Sequence, residues 1–304
     1  MNSVRPEPVE GLPSFPLFPK GQEGLRQAQP ERSLGLALLL LAGCSAASSP
    51  PPNNRIVSTN PCLDAILVEL VPPARIAAIS HYSQDPRSSS MPVARARRFR
   101  ATSGTADEVI ARKPGLVLAS SFTPAATLSA YRRLGLKVAT YGTAATIADN
   151  RAQIREIAKE IGAEEQGEAL VARIDRAVVE AAPPDARRPS ALLWLGGSNL
   201  VNGQGTLIGE MTERAGFRNA SADYGVRFTG TLPLEFVVAR PPDVVMTPER
   251  ADRANEEARR ISLRLRALRA STRIASFPPE LFYCGGPTIV PAMQRLAAIR
   301  RGLS

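Results

Sequence analysis

The chain alternates short apolar strands with amphipathic helices, and this alternation strongly limits the folds open to it. Segment 55–59 reads as a strand, and Leu63, Ile66, Leu67 and Leu70 then recur at the spacing of one helix face. The same series continues with predicted strands at 74–80, 115–120 and 137–141 and a predicted helix at 125–135. Strands that alternate with helices predict an α/β fold, with mainly parallel sheets flanked by helices.

A second series of the same kind follows after residue 188. Its predicted elements are strands at 191–196, 243–248 and 281–285, a helix at 205–216, an arginine-rich helix at 250–271 and a last helix after Pro291. Two series of strands and helices indicate two lobes, and each is long enough to bury a core of its own.

Residues 147–182, between the two series, are helical in composition, and Gly162 and Gly167 are their only glycines. We predict one helix that ends near Ile161 and a second, longer helix from about Glu164 to 182. The predicted organisation is a leader and tether (1–52), an N-terminal lobe (53–146), a helical connection (147–188) and a C-terminal lobe (189–304). The long second helix is expected to join the lobes.

The N-terminal region differs in kind from the rest. It is rich in proline, and Arg32 then precedes a nine-residue apolar run, Leu34 to Ala42, which is the layout of a secretory signal. The next residues, Gly43 and Cys44, complete a sequence that resembles the lipobox of bacterial lipoproteins. This resemblance implies a lipid on Cys44, an anchor in a bilayer and a location in the periplasm or at the cell surface.

One phrase occurs twice, 128 positions apart, as DEVIARKPGLVL (107–118) and EFVVARPPDVVM (235–246). Both copies run from an acidic residue through a helical turn to Ala-Arg-x-Pro and then into an apolar strand. The repetition indicates either repeated scaffolding or a repeated working surface.

Composition excludes several classes of function. The net charge of +10 favours acidic ligands or anionic surfaces. However, the exported chain has no nucleic-acid-binding motif, and it lacks the G-x-S-x-G, H-E-x-x-H and phosphate-loop signatures of common enzyme classes. Its single histidine, His81, cannot supply the ligand cluster of a zinc or manganese site. We therefore expect neither an enzyme nor a resident metal or other cofactor.

Several phrases together resemble the helical-backbone class of ABC-transporter substrate-binding proteins. They are RIVSTNPCLDAIL (55–67), ISHYSQDP (79–86), ADEVIARKPGLVLA (106–119) and LPLEFVVARPPDVVM (232–246), and the similarity covers nearly all of residues 54–300. Members of this class carry cobalamin, ferric siderophores, haem or metal ions. The resemblance implies a monomeric binding protein that delivers its ligand to a membrane permease and the associated ATPase.

The resemblance also gives the repeated phrase a role. In this class, an acid seven residues before the proline of each copy lies at the top of its lobe and docks into arginines of the permease. The matching positions are Asp107 and Glu235, and Glu108 is an alternative to Asp107 in the first copy. The other reading is that acids at a helix start only complement the helix dipole.

Ligand-binding residues are expected at the mouth between the lobes, beyond the carboxyl ends of the strands. Tyr82 matches a cleft tyrosine of the family's cobalamin binder, His81 lies beside it, and Arg100 belongs to an arginine cluster that either meets an anionic ligand or faces solvent. Candidates from the second lobe are Trp194, Tyr224, Phe228, Tyr283 and Cys284, and a core position is equally expected for Trp194.

Two cysteines remain after Cys44, and the family places both near the cleft. A disulfide between Cys62 and Cys284 would need Cα atoms within about 7 Å. A cleft wide enough for a corrinoid argues against that distance. We therefore expect free thiols, with Cys284 the more accessible.

The function implied by these features is capture of cobalamin or a related corrinoid for an ABC importer. A ferric-siderophore or haem receptor of the same class is the alternative, and in each case the metal belongs to the ligand. A structural envelope lipoprotein is the alternative from another class, and it predicts neither a cleft nor affinity for a small molecule.

Overall fold

The computed structural model describes residues 54–183, 185–195, 199–248 and 271–303. They belong to one compact unit that begins at Ser48. The predicted leader, the apolar run, Cys44 and almost all of the arginine-rich segment lie outside the described residues.

The first sheet is wholly parallel, as the alternation predicts. Its strand order is β3-β2-β1-β4-β5. The strands are β1 (Ile56–Ser58), β2 (Ile76–Ser80), β3 (Ala101–Thr102), β4 (Leu116–Ser120) and β5 (Val138–Tyr141), and the helices between them are α1 (Pro61–Leu70), α2 (Val93–Ala96), α3 (Ala106–Ala111) and α4 (Ala125–Arg133). Because the five strands are parallel, their carboxyl ends all lie at one edge of the sheet.

The second sheet is mixed, with the order β11-β10-β6-β7-β9 and β8 beside β6. β7 is antiparallel to β6 and β9, and the other pairs are parallel. The strands are β6 (Ser190–Trp194), β7 (Leu200–Asn202), β8 (Arg218–Asn219), β9 (Thr229–Thr231), β10 (Val244–Thr247) and β11 (Arg273–Ser276). The helices of this half are α7 (Leu207–Arg214), α8 (Leu234–Ala239) and α9 (Ile289–Arg301).

The prediction of a strand at 281–285 is wrong. The strand is β11 (Arg273–Ser276), and it is followed by a 3-10 turn at Pro279–Leu281 and a loop. Pro279 has no N–H to donate to a sheet, and glycines follow the segment at Gly285 and Gly286. The apolar residues pack without a strand, and Phe282 meets Phe277 edge to face.

Two helices connect the sheets, at the predicted positions. α5 runs from Ile147 to Ile161 and α6 from Glu164 to Glu180. Gly162 ends α5 in the left-handed conformation, and the 17-residue α6 is the long backbone helix. α6 packs against both α5 and α9.

One hydrophobic core runs through both halves of the fold, beside two smaller clusters that each belong to one half. It contains Ile56 and Leu118 from the first sheet and Leu193 and Met246 from the second. Between them it contains buried residues of the connecting and flanking helices: Ile66, Ile154, Ile157, Leu170, Ile174, Met293 and Leu296. Separation of the lobes would therefore expose apolar surface to water.

The loop at residues 282–288, which we call the crossing loop, fastens the second half to the first. Cys284 forms a disulfide with Cys62, and their Cα atoms are 5.1 Å apart. The expectation of free thiols is therefore wrong, and so is that of an accessible Cys284, which is buried. α1 and the loop meet closely here, because the lobes share a core beneath the cleft.

A hydrogen bond from Gly286 to α5 is a second connection between the crossing loop and the rest of the fold. The Gly286 N–H donates to the buried Asn150 Oδ1 at 2.9 Å. Its φ is +63°, and a Cβ at this position would lie 2.6 Å from Ile66 Cγ1 of α1. Only glycine allows both this backbone conformation and this close approach.

We predict that Gly286→Ala destabilises the fold more than Gly135→Ala. Both glycines have positive φ, but a Cβ on Gly135 has nothing within 4 Å. Gly135→Ala should lower the free energy of unfolding by about 1–2 kcal/mol through backbone strain alone. Gly286→Ala should add a further cost of about 1–3 kcal/mol, because its methyl group overpacks against Ile66. Equal costs in chemical denaturation would contradict this close contact.

Candidate ligand-binding cleft

A cavity of about 420 Å³ opens between the two sheets. Its wall in the first half comes from segments at or just after the carboxyl ends of β1, β4 and β5. Its wall in the second half comes from the end of β7, the start of α7, the start of β9 and residues 281–285. Ligand sites of open α/β sheets lie at such strand ends, so this cavity is the candidate site.

Three aromatic side chains of the cavity wall are unusually exposed. The exposed fractions are 79% for Phe122, 63% for Phe228 and 47% for Tyr283. Large exposed rings lining a concave surface indicate a site for a partner with apolar faces. Phe228 and Tyr283 were sequence candidates, whereas Phe122 was missed. Its position directly after predicted strand 115–120 was the available signal.

The polar groups of the wall are amides and hydroxyls, several of them held in place by the fold. Gln153 Nε2 donates to the Gly142 carbonyl at 2.7 Å, and Thr229 Oγ1 donates to Asn202 Oδ1 at 2.8 Å. Within the described part of the chain, no Asp, Glu, Lys, Arg or His lines this cavity.

The two tyrosines of the wall are neutral at physiological pH. Burial raises the pKa of Tyr141 to about 12, with a smaller contribution from the charges of Glu156 and Glu160. Burial, followed by the charges of Glu280 and Asp85, also raises the pKa of Tyr283. The described lining is therefore aromatic and polar but uncharged.

His81 and Tyr82 lie beyond this cavity. They begin a 3-10 turn (His81–Gln84) directly after β2, and their rings stack with centroids 4.0 Å apart. His81 Nδ1 lies 3.2 Å from the Thr102 carbonyl oxygen. The turn is at the predicted sheet edge, but neither residue is part of the cavity wall.

A buried carboxyl that sequence reasoning missed holds this turn. Asp64 Oδ2 accepts hydrogen bonds from Ser80 N at 2.9 Å and from Ser83 Oγ at 2.6 Å. Burial raises the pKa of Asp64 to about 8, against the opposing effect of hydrogen bonds from Ser58, Ser83 and Ser80. The available signal was an acid among the apolar residues of α1.

Three other candidates from the sequence, Arg100, Tyr224 and Trp194, also lie away from the cavity. Arg100 is exposed, and its carbonyl accepts a hydrogen bond from Ile79 N where β2 meets β3. Tyr224 donates its hydroxyl hydrogen to the Arg240 carbonyl and packs against a core cluster that contains the fully buried Trp194. Cys284 does line the cavity, as half of the disulfide.

The repeated phrase forms two matched helix starts. Asp107 in α3 and Glu235 in α8 are exposed, and Val109 and Val237, two positions later, are both fully buried. In the first copy, the neighbouring Glu108 Oε2 accepts hydrogen bonds at 2.7 and 2.9 Å.

The hydrogen bonds to Glu108 come from its own loop. The donors are Ser103 N and Thr102 Oγ1, and the first of them is the main reason why the pKa of Glu108 lies below its usual range. Glu108 therefore stabilises the loop that leads into α3. Asp107 is the closer equivalent of Glu235 in position.

A parallel sheet and a mixed sheet, joined by a backbone helix around one cleft, define the class of two-lobed solute-binding proteins. The family model described as "Periplasmic binding protein" matches residues 56–270, and the chain belongs to this family. Membership implies a location in the periplasm and a binding protein rather than an enzyme. Among the described residues, no helix is both long enough and apolar enough to cross a bilayer.

Two curated relatives, both named cobalamin-binding protein, come from two strains of Halobacterium salinarum. Each is 29% identical over 212 residues, which cover 67% of this chain and 56% of the relative. The chain thus spans just over half the length of these relatives.

Solved structures share the fold. The periplasmic haem-binding protein RhuT from Roseiflexus sp. RS-1 superposes with a TM-score of 0.68 at 24% identity, covering 82% of this chain and 98% of that one. The vitamin B12-binding protein BtuF of Vibrio cholerae superposes with a TM-score of 0.62 at 18% identity, covering 82% and 96%.

Proposed function

We propose that this protein captures cobalamin or a related corrinoid and delivers it to the permease and ATPase of an ABC importer. The observation that carries the choice of ligand is the uncharged cavity wall. A corrinoid is a large ring with apolar faces and a rim of amides, so it fits exposed aromatic rings together with Asn, Gln, Ser and Thr groups. The relatives named for cobalamin binding support the same choice.

The rival ligands make different demands on the site. Haem carries two carboxylates and ferric siderophores carry anionic oxygen donors, and both are recognised well by arginine. The described cavity wall provides no such cation, and Arg100 lies outside it. The fold shared with haem-binding proteins makes haem the second candidate.

The cavity is smaller than a whole corrinoid complex. Its volume of about 420 Å³ lies in the range of small-molecule sites, about 300–1,000 Å³. We therefore infer that the ring enters between Phe122 and Phe228 and that the rest of the ligand projects toward solvent. A structural envelope lipoprotein would have no use for such a cleft.

The same proposal includes anchoring and docking. Lipidation of Cys44 would hold the protein at a bilayer beside its permease, and Asp107 and Glu235 would each meet an arginine of the permease. The exposed apolar residues Ile110 and Val238 lie three positions after these acids, on the same helix face. Each docking point therefore combines a carboxylate with an apolar contact.

We predict that isothermal titration detects cyanocobalamin binding with a Kd below about 1 μM, or about −8 kcal/mol. Phe228→Ala should weaken binding by about 1–2 kcal/mol, roughly five- to thirtyfold, because a ring contact is lost. Phe236→Ala is the matched control: this ring is 59% exposed but does not line the cavity, so its removal should leave the affinity unchanged. Binding of haem or a ferric siderophore in place of cyanocobalamin would refute the choice of ligand.

We also predict that Asp107→Arg and Glu235→Arg leave cyanocobalamin affinity intact but reduce transport at least tenfold, because each would set two like charges against each other at the permease. Glu165→Arg makes the same change of charge at an exposed position on α6 and should transport normally. The measurement is cobalamin uptake in cells that carry the importer. Full uptake by Glu235→Arg would mean that the repeated acids serve only as helix-start residues.

A further inference from the structure

We propose that the Cys62–Cys284 disulfide determines ligand specificity by fixing the separation of the two lobes at the floor of the cleft. The inference rests on the proposed function, because it assigns the disulfide a role in the same site. It concerns a covalent bond between lobes that are otherwise joined through the backbone helices and the shared core.

The position of the bond supports this role. Cys62 is the second residue of α1, which follows β1 closely. Asn60 caps this helix by accepting hydrogen bonds from Cys62 N and Leu63 N. Cys284 belongs to the crossing loop of the other half, 222 residues away. Both cysteines line the cavity. The disulfide is therefore part of the wall that a ligand touches.

The bond brings the two lobes very close together. The Cα atoms of Cys62 and Cys284 are 5.1 Å apart, scarcely more than the distance of about 4.7–4.9 Å between neighbouring strands of a sheet. No ring-sized ligand passes between two backbones at this spacing. A bound ligand must lie to one side of the disulfide.

The described structure has a second cavity, of about 600 Å³, between the same two halves of the fold. It is lined by loop 86–93 from the first half and by residues 278–281 and Pro291 from the second. Leu281 is its only lining residue in common with the aromatic cavity, and neither cysteine belongs to its wall.

The chain on either side of Leu281 lies between the two spaces. Residues 278–281 line one cavity and residues 281–285 line the other, so consecutive parts of the chain face different spaces. Two residues after Cys284, Gly286 lies close against Ile66 of α1. We infer that the bond confines the ligand to the compartment of Phe122, Phe228 and Tyr283.

The periplasm allows this bond to persist, because it is an oxidising compartment. A cross-link across the site keeps the cleft at its binding width before the ligand arrives, so less ordering is left for the binding step. Without the bond, the crossing loop would keep its hydrogen bond to Asn150 but would lose its covalent attachment to α1. The aromatic compartment would then widen and discriminate less.

The test compares three forms of the full chain: the oxidised protein, the protein reduced with a phosphine after folding, and Cys62→Ser/Cys284→Ser. Titration with cyanocobalamin and with haem gives the affinity and the preference of each form. We expect both bondless forms to bind cyanocobalamin about tenfold more weakly than the oxidised protein does. Their preference for cyanocobalamin over haem should also be smaller. Agreement between the two bondless forms would assign the effect to the bond rather than to the serines.

Amide hydrogen exchange provides a measurement that needs no ligand. Residues 282–288 should exchange faster in both bondless forms, while α5 and α6 exchange as before. If no probe binds any form, the proposed function fails and the exchange result alone decides whether the bond holds the loop. Equal affinities and equal exchange in all three forms would overturn the inference.

Loss of folding is also a decisive outcome. If the double serine variant does not fold, the protein reduced after folding carries the test. If reduction also unfolds that protein, as circular dichroism would show, the bond serves the whole fold and the proposed role in specificity is wrong.

Discussion

The close packing of α1 against the crossing loop is the contact on which the site depends. Gly286 lies against Ile66 and donates a hydrogen bond from its amide to Asn150. Two residues earlier, Cys284 is bonded to Cys62. The buried core beneath this contact is continuous from the first sheet to the second. Two sheets that could otherwise pivot around α6 are thereby held with their ligand-binding edges facing each other.

This arrangement places an uncharged cavity inside a strongly basic chain. The chain carries a net charge of +10, but none of its described Asp, Glu, Lys, Arg or His residues lines the cavity. In the wall itself, Tyr141 and Tyr283 are neutral, because the pKa of each lies above the usual value for tyrosine. We therefore propose that binding relies on ring contacts and neutral hydrogen bonds.

Local patterns were sufficient to predict most of the secondary structure. Apolar spacing predicted α1, helical composition and two glycines predicted α5 and α6, and the repeated phrase predicted the equivalent pairs α3–β4 and α8–β10. The strand at 281–285 failed because the segment is apolar, while the prolines before it and the glycines after it prevent a regular strand. β7 and β9 were missed because their pairing is non-local and each is only three residues long.

Prediction of the site was less complete for a related reason. Phe228 and Tyr283 were named as candidates because they are aromatic residues of the second lobe. Phe122 and the disulfide depend on how the two halves meet. No local pattern brings Cys62 within bonding distance of a residue 222 positions away. That proximity follows from the core that the two lobes share, so the cleft is narrower at this point than the size of a corrinoid suggests.

We infer that the cleft is set before the ligand binds, and small-angle X-ray scattering with and without saturating cyanocobalamin tests this most directly. A core continuous between the lobes, together with a covalent link across the cleft, predicts that the radius of gyration changes by less than about 1 Å. A contraction of about 2 Å or more on binding would show that the lobes close around the ligand, and it would contradict the account.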